Sequence, residues 1–525
     1  MGQLFGTLQE SKPYAQSLPL ELWQHCWSFL AVEDLLAVSS TCLLFRCICK
    51  DILFRHITTT IPYKRTVRHI FQPRHDDVAR IGRARRLILR LHALQNDSDA
   101  REVLRLVDTW SIKSFGSPAP LEEDEIMQYR DEKDHFPFVQ PYRSIFLILP
   151  SCTNLRLLSV SDIHMGHERW FALEKMPRLE CLTMERCVMS SDGSKAMKLK
   201  VVSITHEARR DPPDVPPPTT QLISSLFNPR HLERLTLLDL TFSDSFLQGL
   251  VGVGRFENLK HLSVVVPNAH MDTLFAFLSG TPSLSSLTIS NFSAIATPNQ
   301  PFLQSNVPNL IAYDGFPTLV PIFLPGRPVS TVRLRMNHRT DPEATLGDPF
   351  GVYDNNVICK ALNDCSASKR AIHDLMISPF HPTPDSMQDI VRIHPDLRHL
   401  RLEILRTPNL NMGVDVEEPM SIIMDMLSDG MDMRDGNGLH PLFLISGVLS
   451  SIADGHLTLP VKLETLQLHY YQKAETVCDN EAKQRLIILK ISAAYPALYE
   501  IHLGTTRWWR QGERWSREVL TRSHL

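Results

Sequence analysis

No two cysteines of this 525-residue chain stand at the CxxC spacing of a zinc or redox motif, although it carries ten of them. Nor does any Cys/His cluster have metal-ligand spacing, so no metal site is expected. Apart from Cys47-x-Cys49 the cysteines stand singly, as suits reduced thiols of a cytoplasmic or nuclear protein. No apolar run approaches the ~18 residues of a membrane helix. The N-terminus lacks the basic-then-apolar pattern of a secretory leader. Met1-Gly2 is followed at position 6 by Gly6, where a myristoylation site requires Ser or Thr. Charge of one sign is also lacking. Lys and Arg number 55 against 58 Asp and Glu, a formal net charge of -3, which argues against a dedicated nucleic-acid binder.

Catalytic signatures are missing as well. There is no GxxxxGK[ST], GxGxxG, HExxH or GxSxG, which removes the common phosphate cradles, the zinc-protease helix and the nucleophile elbow. The 22 histidines are scattered, and His261, His373, His399 and His502 fall at strand positions without a paired ligand. Cys47 and Cys49 lie in an apolar helical stretch, where a thiol is a core or partner-face residue rather than a reactive group. The expectation is a non-catalytic protein with no cofactor and no metal, bound to neither nucleic acid nor membrane.

What the chain does have is a repeat. Leu-x-x-Leu-x-aliphatic recurs at Leu155-Leu158-Val160, Leu179-Leu182-Met184, Leu232-Leu235-Leu237, Leu259-Leu262-Val264 and Leu284-Leu287-Ile289. It returns at Ile372-Leu375-Ile377, Leu397-Leu400-Leu402, Leu463-Leu466-Leu468 and Leu498-Ile501-Leu503. Leu199-Val202-Ile204 and Val329-Val332-Leu334 are weaker copies, and Leu310-Tyr313-Gly315 is degenerate. Proline often precedes a copy, as Pro177, Pro282, Pro308, Pro395 and Pro496. Several neighbouring copies lie 24 to 27 residues apart, inside the leucine-rich-repeat range.

Amphipathic helices are expected between copies, best at Asn268 to Gly280, and also at Gly166 to Lys175, Asp385 to Ile393 and Asn480 to Ile491. A strand-then-helix unit of this length cannot bury its own apolar face, so units stack. The expected fold class is α/β: an irregular leucine-rich-repeat solenoid with parallel strands on the concave side and helices outside.

Several segments interrupt or end the array. Asp211 to Pro218 is proline-dense and expected as a surface loop. Leu121 to His135 is acidic and expected as a solvated loop or helix face. Residues 406–440 hold either a degenerate repeat or a long excursion. The basic stretch from Lys64-Arg65 to His92, with Arg83-Ala84-Arg85-Arg86, interleaves Val78, Ile81, Leu87, Leu89 and Leu91, and is expected as an atypical repeat capping the array. Trp508-Trp509-Arg510 and Trp515 are expected to close the C-terminal end. Ser523-His524-Leu525 resembles the peroxisomal Ser-Lys-Leu address and is weighed against a plain tail.

Ahead of the array lies LPLELWQHCWSFLAVEDLLAVSSTCLLFRCICKDILFRHI, from Leu18 to Ile57. Pro19 suits a first helical turn, and Leu22, Cys26, Phe29 and Leu30 recur at helical spacing. Asp34 is placed to cap a second helix, and Cys42 to Leu53 forms a third. Forty residues bury too little surface to fold firmly alone.

The Leu-Pro-x-Glu-Leu opening, Asp34-Leu35-Leu36, Ser39, Cys42 and Phe45-Arg46 resemble an F-box. With the repeats behind it, the chain is similar to F-box proteins with leucine-rich repeats, in the style of the large fungal sets. The resemblance implies a substrate adaptor of an SCF-type ubiquitin ligase. Leu18, Pro19, Leu22, Cys26, Phe29, Leu30, Leu35, Leu36, Cys42 and Phe45 would face the linker subunit and, through it, the cullin. The repeats would hold an unknown protein substrate. Strand positions between the leucines face solvent, which makes Thr236, His261, Ser263, Thr288, Arg401 and Gln467 target-binding candidates. The alternative is a leucine-rich-repeat interaction scaffold outside any ligase.

The expected layout is an N-terminal tail 1–16, the F-box 17–60, a linker and capping repeat 61–145, and the solenoid 146–505 with loops near 208–220 and 406–440. A cap or tail, 506–525, ends it.

Overall fold

A computed structural model of the chain describes residues 19–62, 75–115, 136–161, 163–189, 197–205, 228–238, 243–266, 271–290, 303, 305–335, 355–380, 382–404, 445–470, 481–512 and 514–520. The tail 1–16, Leu18, the acidic segment 121–135, the proline-dense segment 211–218, the interval 406–440 and the C-terminal tripeptide lie outside them. The described residues divide into two compact units, Met1–Arg255 and Phe256–Leu525.

The first unit opens with α1 (Leu20–Trp27), α2 (Val32–Thr41) and α3 (Leu43–Leu53). Pro19 is the N-cap of α1 at φ -55°, close to the value its ring enforces. Helix α2 starts two residues before Asp34, with Ala31 as N-cap. Asp34 is therefore not the cap; in the first turn it complements the helix dipole instead. The hydroxyls of Ser39, Ser40 and Thr41 turn back onto the carbonyls of Leu36, Ala37 and Val38, competing with helix continuation. Cys42 Sγ then accepts the Phe45 amide at 3.4 Å and starts α3. The three helices enclose Trp27, Leu35, Ile48 and Cys49, with Trp23, Val38, Phe45, Ile52 and Leu53 packed against them. Trp27 meets Phe45 edge-on at 4.9 Å, a contact worth about 0.5–1.5 kcal/mol beyond its buried area.

Helix α3 leads into β1 (His56–Pro62), followed by α4 (His75–Asn96), α5 (Ser98–Leu106) and β2 (Thr109–Phe115). Then come the helix Phe136–Ile148, β3 (Leu157–Ser161), β4 (His164–Met165), the helix His167–Glu174, β5 (Cys181–Glu185), β6 (Val188–Met189), β7 (Val201–Thr205), β8 (Arg234–Leu238) and the helix Ser243–Val253. The sheet order is β1-β2-β3-β5-β7-β8, all parallel, with β4 and β6 forming a small parallel pair beside it.

The ladder thus begins at His56, ahead of residue 146, where leucine spacing starts it. The two extra strands, around Ile-Thr-Thr-Thr-Ile and Trp-Ser-Ile, are β-branched and aromatic rather than leucine-based. From residue 75 onward the basic stretch lies on one helix, α4. Ala84 and Leu91 are buried on it while Leu89 is 70% exposed, a 3.6-residue rather than two-residue period.

The second unit contains β9 (His261–Val265), β10 (Ser286–Ser290), β11 (Ala312–Gly315), β12 (Thr331–Arg335), β13 (Asp374–Phe380), β14 (His399–Ile404), β15 (Thr465–Tyr470) and β16 (Glu500–Leu503). These are parallel and adjacent in chain order, and β17 (Thr506–Gln511) and β18 (Arg514–Val519) add an antiparallel hairpin. Helices Met271–Ser279, Pro384–Ile393 and Glu481–Ala494 form where spacing places them. Pro384–Ile393 is started by a Thr383/Ser386 capping box.

The register explains the template. Leu287, Tyr313, Val332, Leu375, Leu400, Leu466 and Ile501 stand side by side, all 1% exposed or less. Each unit is leucine-rich-repeat solenoid in its strand pairing and buried rows. The first template residue closes a turn. The amides of Leu179, Leu284, Leu310, Leu397 and Leu498 bond back to the carbonyls of Met176, Thr281, Val307, His394 and Tyr495. Pro177, Pro282, Pro308, Pro395 and Pro496 occupy the second residue of these turns, where a fixed φ favours the bend.

The degenerate copy is also explained. Tyr313 fills the leucine position, and its hydroxyl donates to the Phe316 carbonyl at 2.9 Å. A Cβ on Gly315 would stand 2.7 Å from that hydroxyl oxygen, so the larger ring leaves room only for glycine. Strand β14 pairs directly with β15. No described strand stands between them, and the interval 406–440 itself lies outside the described residues.

Candidate functional site

Two surfaces carry the chemistry. The first lies on α1–α3. Phe29 is 76% exposed, Leu43 75%, Val32 59%, Leu36 54% and Leu22 49%. Leu22 and Cys26 on α1, Val32 and Leu36 on α2, and Leu43 and Cys47 on α3 each stand four residues apart, so each pair shares a helix face. All six side chains are exposed. Each helix thus has a second apolar stripe besides the one in the core. Burying one such large side chain is worth about 1.5–3 kcal/mol.

Of the residues expected here, Pro19, Leu22, Cys26, Phe29, Leu30, Leu36 and Cys42 are exposed. Leu35 is 4% exposed, and with half-buried Phe45 it belongs to the helix core, not the outer face. The three-residue shift of the α2 N-cap, from Asp34 to Ala31, does not change this. Leu35 and Leu36 are consecutive on a helix, about 100° apart, so one points in when the other points out.

The second surface is the polar side of the strands in the second unit. Ser263, Thr288, Asp314, Arg333, Met376, Arg401, Gln467, His502 and Arg507 form one row across neighbouring strands. Ser263 with Thr288 and Arg401 with Gln467 are therefore neighbouring pairs in this row, separated by the three strands that carry Asp314, Arg333 and Met376. His261 stands two residues before Ser263 on β9, and Thr236 lies in the first unit beside Ser203. All six are half-buried.

The charged members of this face pair among themselves. Arg335 reaches Asp314 at 2.7 Å and Arg401 reaches Glu403 at 2.7 Å. Ser378 Oγ donates to Glu403 at 2.5 Å, and Arg507 Nε donates to Glu500 at 2.6 Å. Burial pushes the Asp314 carboxyl above its usual range, against the pull of Arg335 and Arg333. For Glu500 burial also pushes up, but hydrogen bonds from His502 and Arg507 outweigh it and hold the carboxyl below its usual range. Burial lowers His469 to about 4, helped by Arg401, so its imidazole is neutral.

Asp314, Arg333, Arg335, Glu403, His469, Glu500 and Arg507 were not singled out from sequence. Their only signal is a charged or polar residue between or just after the template's apolar positions. Pairing partners 21 residues apart, such as Arg335 and Asp314, need the register to be seen.

Other perturbed groups are structural. Arg327, 1% exposed, donates to the carbonyls of Asn306, Ile322 and Leu303, and burial brings it to about 10. Cys152 is pushed up to about 12 by burial. Cys49 is buried and Cys47 exposed. Among the described residues no group of three His, Cys, Asp or Glu is placed to hold a metal ion, and no helix is long and apolar enough to cross a membrane.

No family model matches the chain, and no curated protein matches it. Among solved structures, one described as a crystal structure of a TLR13-ssRNA13 complex is 13% identical, with a TM-score of 0.27. The match covers 60% of this chain and 39% of that one, well under half its length. The repeat architecture stands on this chain's own strand register and buried rows, independently of that likeness.

Proposed function

We propose that the chain is the substrate-recognition adaptor of an SCF-type ubiquitin ligase. The helices α1–α3 would dock on the linker subunit, and the polar strand face would hold the target. The observation that carries this reading is the second apolar stripe on each of the three helices, since monomeric proteins rarely leave such side chains grouped in water. The F-box resemblance of the same residues names the partner. No group of this chain would react. Tethering raises the effective concentration of the target's lysines at a conjugating enzyme held by the cullin.

Co-expression with linker and cullin subunits tests it. Leu22→Asp with Phe29→Asp should abolish co-purification while leaving the thermal midpoint within about 1–2 °C, as exposed sites do. Leu35→Asp is unsuitable because it would charge the helix core. A wild-type chain that recovers neither subunit would be a repeat scaffold outside any ligase.

A further inference from the structure

We infer that the groove between the free edge of β1 and helix α4 binds an extended acidic peptide, which pairs with β1 as an added strand. Among the described residues, strand β1 is the first of its sheet and pairs with β2 alone. The Thr109 amide bonds to the Arg55 carbonyl. By the alternation of a parallel ladder, Ile57 and Thr59 then serve β2, while the N–H and C=O of His56, Thr58 and Thr60 point to the free edge. Such a row of unpaired groups is a template for another strand.

A groove of about 830 Å³ runs along this edge. Every residue from His56 to Thr60 lines it, and Leu87, Leu91, Leu104 and Trp110 supply apolar wall.

Charge decides the occupant. Arg83, Arg86 and Arg90 of α4 line the groove, and no Asp or Glu among the described residues does. None of the three arginines has an ion pair among the described residues. At positions i, i+3 and i+7 they share one helix face and span about 10 Å. Three alternate positions of an extended peptide span about 13 Å, a mismatch that long guanidinium side chains absorb. A segment alternating carboxylates with β-branched residues satisfies the open backbone, the arginines and the apolar wall together. This site is separate from the apolar stripes of α1–α3, so it stands or falls independently of the ligase reading.

The test uses the full chain and a fluorescent alternating Glu-Val octapeptide, read by anisotropy. Wild type should bind it at least about tenfold more tightly than the matching Lys-Val peptide. Arg83→Glu with Arg86→Glu and Arg90→Glu should remove binding. Thr58→Pro deletes an edge donor but leaves the β1–β2 ladder whole, and should weaken binding at least about tenfold. Hydrogen exchange on wild type supplies the same readout without substitution, since the Thr58 and Thr60 amides should gain protection with peptide. No binding, equal binding of the Lys-Val peptide, or binding without protection of those amides overturns the proposal. The last outcome would indicate an anion site on α4 alone.

Discussion

Among the described residues the second unit ends sealed, whereas the first begins open. At the C-terminal end the hairpin β17–β18 covers the last repeat, burying Trp508 to 1% and Trp515 to 4% exposure. Trp508 Nε1 donates to Gln484 of the helix beneath at 3.3 Å. The outermost strand presents Arg514, Arg517 and Glu518, charges that discourage further pairing. At the N-terminal end, β1 has threonines on its free side, a groove of arginine and leucine beside it, and helices with apolar side chains in water. Both ends of the described ladder face the same problem, an outermost strand with one edge to cover. One is solved within the chain; the other leaves surface that a partner can cover.

The sharpest way to break this contrast is to damage each end. Trp508→Ala should cost about 3–5 kcal/mol through the cavity it leaves, whereas Phe29→Asp should stay within about 0.5 kcal/mol. Urea unfolding curves of the two variants measure this, and equal losses would mean that the N-terminal face is not open.

Acid should act next, and on the sealed unit. Burial holds His394 and His469 near 4, against 6.5 when unfolded. Both are neutral in the fold, so the unfolded chain takes up protons first as pH falls. Their contribution is complete above about pH 6.5 and is lost on the way down to 4, on the order of 3 kcal/mol for each. Thermal midpoints should therefore fall over that window. His394→Gln should flatten the slope. An unchanged slope in that variant would show that His394 does not titrate with folding.

A smaller effect is expected inside the degenerate repeat. Gly315→Ala should cost about 1–3 kcal/mol by overpacking, and less when combined with Tyr313→Phe, which removes the hydroxyl oxygen nearest the new methyl. A double-mutant cycle by denaturant unfolding reads this coupling. Additive losses would place the clash elsewhere, for instance at the Ile289 carbonyl 3.3 Å from the same Cβ. Smallest is Thr383→Ala, which removes a capping box and should cost about 1 kcal/mol, checked by the same curves.

Much of the repeat was legible because its cause is local. Leucines two residues apart on a strand must share a face, and proline before the first of them must bend the chain, so eleven strands needed no tertiary information. The helix Met271–Ser279 was equally plain from its spacing. Strands β1 and β2 were hidden because they substitute isoleucine, threonine and tryptophan for the leucine pattern. The secondary structure of α4 was not legible, because Leu87, Leu89 and Leu91 stand at a two-residue spacing while the backbone follows the helical one. On α1–α3 the apolar residues were visible, but which belonged to the core was not. Leu35 and Leu36 are alike in sequence and opposite in exposure.

By itself, then, the amino-acid sequence determined which residues of the leucine template turn inward and where the proline-led strands are launched, since these follow from side-chain alternation and fixed proline φ. Tertiary structure alone decided which strands are neighbours. It set β15 against β14, brought Arg335 to Asp314, and, among the described residues, left β1 with one free edge. Those outcomes depend on the stacking of repeats distant along the chain, and no local preference encodes that stacking.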